Sequence, residues 1–301
     1  MKHIPVMLDE AMEGLKIRED GVYVDGTYGA GGHSSEILNR LTIGVLYGFD
    51  RDLSVLVAAK SDRRLRLRHN NFSDMADVLR ADGVDQVDGV LVDLGVSSMQ
   101  FDEADRGFSY RFPSELDMRM NQGAGLSAQE VLNEYPEERL WYMFSDYGEI
   151  RNSKSLARSI VEYRRRKKIQ TTEDLVFIAS QKVVGNKMRY LSQVFQSIRM
   201  EVNDEIGELQ KFLERLSEFV KVGGRVVVIS FHSLEDRMVK NFFRRGNVDG
   251  VIERGVYGKL DLDFEMITRK PLMASGEEIK RNKRSRSAKM RIAKRIKKED
   301  E

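Results

Sequence analysis

The segment Asp25-Gly26-Thr27-Tyr28-Gly29-Ala30-Gly31-Gly32-His33 holds the densest grouping of residues suited to ligand chemistry. Its glycines let backbone N–H groups approach a bound molecule where a Cβ would collide. Ser34-Ser35-Glu36-Ile37-Leu38 follows and reads as the start of a helix, whose N-terminus adds unpaired donors and a positive partial charge. Asp50 closes the next apolar run, where an acid accepts the hydroxyls of a ribose in dinucleotide-binding folds. The glycines fall as G-x-x-G-x-G-G behind a leading acid, not in the G-x-G-x-x-G order of dinucleotide sites. A carboxylate at Asp25 repels a pyrophosphate but can face the sulfonium and amino group of S-adenosylmethionine. The motif therefore favours S-adenosylmethionine, with a ligand-free tight turn as the plain alternative.

The elements that must position these residues alternate. Gly21-Val22-Tyr23-Val24, Ile43-Gly44-Val45-Leu46-Tyr47-Gly48-Phe49, Leu65-Arg66-Leu67-Arg68-His69 and Val87-Asp88-Gly89-Val90-Leu91-Val92-Asp93 read as strands. Residues 53–60 and 73–80 read as helices between them. Such alternation implies a parallel sheet with ligand residues at the carboxyl ends of its strands. Asp25, Asp50, Phe72 and Asp93 all fall at or just after those ends. Phe72 suits an adenine platform, although a phenylalanine after a strand is more often core.

From about Phe112 to Met200 the alternation stops and the pattern is helical. Ser127 with Glu130 has the spacing of a capping box, and Thr171-Thr172-Glu173-Asp174 marks another helix start. Strand character returns at Arg225-Val226-Val227-Val228-Ile229-Ser230, after a helix over 203–221 and the Gly223-Gly224 turn. The expected architecture is a Rossmann-like α/β domain, 1–111 and 201–301, with an all-helical insertion over 112–200. The insertion is expected to help form the substrate cleft. Its aromatics Trp141, Tyr142, Phe144 and Tyr147 read as core more readily than as a ligand box.

Composition bounds the function. The 301 residues carry a net charge of +2 and no cysteine, which excludes disulfides, zinc–thiolate sites and a thiol nucleophile. No apolar run is long enough to span a bilayer; no membrane association and a cytoplasmic location are expected. Eleven Lys or Arg lie between Lys280 and Lys298 with no acid among them. With the three closing acids, residues 280–301 carry +8, leaving −6 for residues 1–279. Arg164-Arg165-Arg166-Lys167-Lys168 forms a second cluster. Two basic clusters on an otherwise acidic chain suggest a polyanion partner, against the alternative of a solubilising tail. Met290, Ile292, Ala293 and Ile296 are spaced to line one face of a helix. No clear metal-ligand cluster is visible, and monomer and homodimer both remain open.

Three further motifs complete the pattern. Asp93-Leu94-Gly95-Val96-Ser97-Ser98-Met99-Gln100 is followed by Asp105-Arg106-Gly107-Phe108-Ser109 and Leu116-Asp117-Met118-Arg119-Met120. Ser230-Phe231-His232-Ser233-Leu234-Glu235-Asp236-Arg237 lies beyond the helical stretch, and Asn282-Lys283-Arg284-Ser285-Arg286-Ser287-Ala288-Lys289 near the end. Together with the first turn and the opening His3-Ile4-Pro5-Val6-Met7, these resemble the MraW family over nearly the whole chain. That family comprises bacterial methyltransferases acting on N4 of a cytidine in 16S ribosomal RNA.

The resemblance implies S-adenosylmethionine contacts at Gly31, Gly32, His33, Asp50, Phe72, Asp93 and Gln100, and the small ribosomal subunit as partner. The residues alone assign Gln100 no role and leave His33 equally a cap or core histidine. Methylation of an exocyclic amine requires alignment of its nitrogen with the methyl–sulfonium bond and an acceptor for its proton. Asp93 is expected to orient cofactor or amine, with Asp117 or His232 as candidate proton acceptors. His232 is equally read as a structural residue at a strand–helix corner. Methylation at C5 generally needs a cysteine that adds to C6; this chain has none, which fits an N4 product.

Overall fold

The computed structural model describes residues 4–95, 104–123, 125–252 and 262–296. The chain divides into two compact units, Met1–Gly95 with Ile206–Glu301, and Val96–Glu205. In the first unit, β1 (Val22–Asp25), β2 (Val45–Asp50), β3 (Leu65–His69), β4 (Val87–Asp93) and β5 (Val220–Ser230) run parallel. Short antiparallel strands follow: β6 (Phe264–Met266), β7 (Leu272–Met273) and β8 (Lys289–Arg295). The sheet order is β3-β2-β1-β4-β5-β8-β6, with β7 also on β8.

Both faces of the sheet are covered, as a parallel sheet requires, and successive side chains serve opposite faces. Tyr23, Leu91, Val227 and Ile229 pack with Ala11, Met12 and Leu15 of α1 (Leu8–Leu15) and Ile37 of α2 (Gly32–Arg40). Val24, Val90, Val92, Val226 and Val228 face the other way. They meet α4 (Met75–Ala81), which follows the short α3 (Leu53–Val57), and two later helices, one of them through Leu209, Phe212, Leu213 and Leu216. Successive residues of β5 alternate between the two cores over Val226–Ile229, so a shift of one residue would exchange them, whereas β4 carries an irregularity between Val87 and Gly89.

The second unit is built from α5 (Ala128–Glu134), α6 (Glu137–Asp146), α7 (Ser153–Arg164), α8 (Thr172–Ser180) and α9 (Lys187–Val202). Ser127/Glu130 and Thr171/Asp174 both form reciprocal capping boxes. The unit begins well before Phe112 because Phe108, Leu116, Met118 and Met120 belong to its core. Asn203 ties that segment down, accepting from Met120 N at 2.8 Å and donating to Met118 O at 2.8 Å. Of the four aromatics expected inside, Phe144 is fully buried, but Tyr142 is 50 % exposed and stacks on Trp141 at 4.9 Å. The 164–168 cluster is partly structural: Arg164 donates to Leu132 O at 2.8 Å, and Lys167 pairs with Asp174 at 2.7 Å.

The helical reading of 290–296 is overturned. This stretch is β8, inside the sheet between β5 and β6, with Val228 opposite Arg291 and Ile229 opposite Met290. Met290 and Ile292 join the α1 face, and Ala293 the opposite one. The alternation is masked in sequence because Arg291 is charged yet 4 % exposed. Its Nε donates to Asp236 at 2.7 Å, on α11 (Ser233–Arg245), which follows α10 (Glu205–Phe219). Arg295 donates to Ser217 O and Val220 O at the C-terminus of α10, where a cation also meets the helix dipole. The basic segment is therefore fold as well as charge. Deleting residues 289–301 is expected to abolish cooperative unfolding by circular dichroism, whereas loss of a mere tail would leave Tm nearly unchanged. Arg291→Ala is expected to cost about 3–5 kcal/mol by leaving the Asp236 charge poorly compensated, read from denaturant midpoints.

Candidate active site at the carboxyl edge of the sheet

Strand order reverses between β1 and β4, and open α/β sheets bind ligands in the crevice at such a switch point. Asp25 ends β1, Asp50 ends β2 and Asp93 ends β4. The sheet therefore brings three carboxylates to one edge of one unit. The turn after β1 is pinned to both neighbours: Gly26 N donates to Leu91 O and Tyr28 N to Phe49 O, each at 2.8 Å.

Asp25 is 1 % exposed. One oxygen accepts from Thr27 N at 3.1 Å and the other from Ser34 Oγ at 2.6 Å, so the carboxylate closes the turn and holds the start of α2. Burial raises its pKa. The expected approach of Asp25 to a ligand sulfonium is not what this geometry provides, because the carboxylate is sealed between the turn and the start of α2. Thr27 extends the knot by accepting from Asp93 N through Oγ1 at 2.7 Å. Gly31 adopts φ 72° at the N-cap of α2 and has no side chain to cap it, while the Asp25 carboxylate reaches the Ser34 backbone N–H in its first turn. The other leading N–H groups of α2 suit an anionic ligand group. Gly32 lacks a Cβ for a different reason, since one would lie 2.3 Å from Pro5 Cγ.

Asp50 accepts from Gly29 N at 2.8 Å and Asp52 N at 2.9 Å, one on each oxygen. Each oxygen retains a lone pair for a donor such as a ribose hydroxyl. Burial lifts its pKa to about 6 despite those two N–H groups. Phe72 is half-buried and packs edge-on against Phe212, with centroids 5.5 Å apart.

Asp93 is the least satisfied group. Its Oδ1 is buried without a hydrogen-bond partner among the described residues, while 22 % of the side chain stays exposed. Burial, with Asp25 and Glu235 adding negative charge, pushes its carboxyl well above the usual range. His33 is buried, with Nε2 2.9 Å from Val6 O and Nδ1 4.0 Å from Asp93 Oδ2.

The two candidate bases fare differently. Asp117 lies in the other unit, where Arg119 grips it at 2.6 and 3.2 Å and Gln122 adds a third contact. Although burial opposes it, these contacts hold its pKa below the ordinary value, which weakens it as a base. His232 is the N-cap of α11, accepting through Nδ1 from Glu235 N at a long 3.5 Å. Its Nε2 lies 3.0 Å from Glu235 Oε1, but without hydrogen-bond alignment. Glu235 Oε2 accepts from Phe231 N and His232 N in return. Gln100 lies outside the described residues. Sequence reasoning missed Thr27 and Glu235; the His232-x-x-Glu235 spacing signals a capping box once His is admitted as a cap.

The Asp50 shift has a defined sign. Ionised Asp50 burdens the ligand-free fold, a cost that develops between the ordinary carboxylate value and about pH 6. Hydroxyl donors favour the ionised form. Affinity for S-adenosylhomocysteine is therefore expected to fall about tenfold between pH 7 and pH 5. Calorimetry checks this, and Asp50→Asn is expected to bind weakly with a flat profile.

The MraW methylase family model matches residues 1–296. The ribosomal RNA small subunit methyltransferase H of Azobacteroides pseudotrichonymphae is 46 % identical over 296 residues, 98 % of this chain and 97 % of that one. The protein of the same description from Flavobacterium johnsoniae is 48 % identical over 297 residues, 98 % of each chain. An acid-rimmed switch point and a full-length match agree, and this chain belongs to the MraW methylase family.

Proposed function

We propose that this chain is an S-adenosylmethionine-dependent methyltransferase of small-subunit ribosomal RNA, and that its product is N4-methylcytidine in 16S RNA. The observation that carries the reading is end-to-end identity of 46–48 % to ribosomal RNA small subunit methyltransferases, on a chain whose strand-end acids suit an adenosine ligand. The donor set fits S-adenosylmethionine: the glycine N-cap of α2 for its carboxylate, and open lone pairs on Asp50 for its ribose. Asp93, with a buried unpartnered oxygen, faces the same edge and suits the amino group or the acceptor amine. When bound, the cofactor supplies a methyl group made electrophilic by the sulfonium.

The residues of this chain then have separable roles. Asp50 fixes the ribose and Phe72 offers an apolar flank to the base. Gly31, Gly32 and His33 carry the helix start against the methionine end. Asp93 aligns the amine, whose nitrogen lone pair is otherwise delocalised into the cytosine ring. No cysteine exists to open the covalent route to C5, and attack from an exocyclic amine needs no such nucleophile, which fits an N4 product.

RNA is held by charge. Lys280, Arg281, Lys283 and Arg286 are exposed on the first unit, and Arg165, Arg166 and Lys168 on the second. Four phosphate contacts would weaken single-stranded RNA binding by on the order of 50-fold between 50 and 200 mM salt. Filter binding checks this, and reversing Lys280, Lys283 and Arg286 to Glu is expected to flatten the slope while sparing cofactor affinity. Methyl transfer from labelled S-adenosylmethionine to naked 16S RNA and to assembled small subunits tests the activity itself. N4-methylcytidine by nucleoside mass spectrometry, lost in Asp93→Ala, is the expected result. A label on another atom or no label would overturn the proposal.

A further inference from the structure

We propose that His33 is the proton-holding partner of Asp93, taking up through it the proton that leaves the acceptor amine. The inference rests on the methyl-transfer reading above. Neither Asp117 nor His232 is well placed to receive that proton, since Asp117 is gripped by Arg119 and His232 caps α11 beside Glu235.

Geometry fixes the state of His33. Its Nε2 lies 2.9 Å from Val6 O. A carbonyl only accepts, so Nε2 carries the hydrogen and the neutral ring leaves Nδ1 bare. That bare nitrogen faces Asp93 Oδ2 at 4.0 Å, about 1 Å beyond a hydrogen bond. Catalytic contacts are often long in a ligand-free enzyme and tighten when substrate arrives. Burial favours the neutral imidazole, opposed by Asp25, the Val6 carbonyl and Glu278. The groups around Asp93 are Asp25, Glu235 and His33. Asp25 acts on both, raising the Asp93 carboxyl and favouring protonated His33.

The balance is simple. Asp93 passes its carboxyl proton to His33 Nδ1 and takes the amine hydrogen as a proton. The amine nitrogen keeps the N–H electron pair while its lone pair forms the bond to the methyl carbon. The departing sulfur takes the electrons of the bond it loses and becomes a neutral thioether. His33 ends as imidazolium beside buried Asp25, and Asp93 ends protonated as it began. The positive charge of the sulfonium has moved to the imidazolium. His33 touches neither substrate nor reacting atom in this scheme and is a positioning residue.

Two measurements test it. The full chain contains four histidines, so nitrogen-15 NMR of the histidine-labelled protein can follow His33. The expected result is an Nε2–H tautomer with bare Nδ1 at pH 7, titrating below 6.5, with a midpoint displaced by Asp93→Asn. An Nδ1–H tautomer, or a midpoint indifferent to Asp93→Asn, would overturn the proposal. The second measurement is single-turnover methyl transfer at saturating S-adenosylmethionine, across pH, with His33→Gln, which keeps a donor for Val6 O. The expected loss is about 100-fold in rate at saturating cofactor, without the limb that rises with pH as Nδ1 is freed. A variant with the wild-type rate and limb would reduce His33 to scaffolding. If the wild-type protein methylates neither naked RNA nor subunits, the methyl-transfer reading fails, and the NMR result still decides whether His33 and Asp93 share a proton.

Discussion

A single buried carboxylate organises the ligand edge of this protein. Asp25 binds Thr27 N and Ser34 Oγ, and in doing so fixes the turn after β1 to the first turn of α2. Thr27 then reaches across to Asp93 N, so the ends of β1 and β4 are tied by side chains as well as by the ladder. Sealing an acid in this way is costly, and burial raises its pKa accordingly. The compensation is positional: the acids on the rim are held at fixed points where the sheet order reverses.

The sheet can offer that edge because it is covered on both faces and completed by residues from the far end of the chain. β8 lies against β5, and α12 (Gly276–Arg281) contributes Glu278, which accepts from Met7 N at 2.8 Å. Asn282 likewise donates to Ile4 O at 3.1 Å. These bonds seat the segment carrying Pro5 and Val6 against Gly32 and His33. The last part of the sequence thus sets the environment of its first motif. An intact C-terminus is a condition for the ligand site as much as for the fold.

Much of this is legible in the sequence, for identifiable reasons. Buried parallel strands read as apolar runs, and a glycine-dense turn followed by a helix start has a distinctive composition, so the positions of Asp25, Asp50 and Asp93 at strand ends can be read directly. Capping boxes at Ser127 and Thr171 rest on spacing three residues apart and are equally visible. What resists reading depends on contacts between distant segments. Arg291 looks like part of a basic run until its partner Asp236 is known. Gly32 resembles a ligand-facing glycine until Pro5 is seen to occupy the space. Asp25 looks like a ligand residue because its type and place are right, yet Ser34, nine residues away, takes its second oxygen.

The central claim is that the edge where β1 and β4 diverge holds S-adenosylmethionine through Asp50 and the start of α2. A crystal structure of the full chain with S-adenosylhomocysteine tests it most directly. The account places the ribose hydroxyls within hydrogen-bond distance of Asp50, the carboxylate on the leading N–H groups of α2 and the sulfur toward Asp93. A ligand held elsewhere, or a ribose with no contact to Asp50, would contradict it.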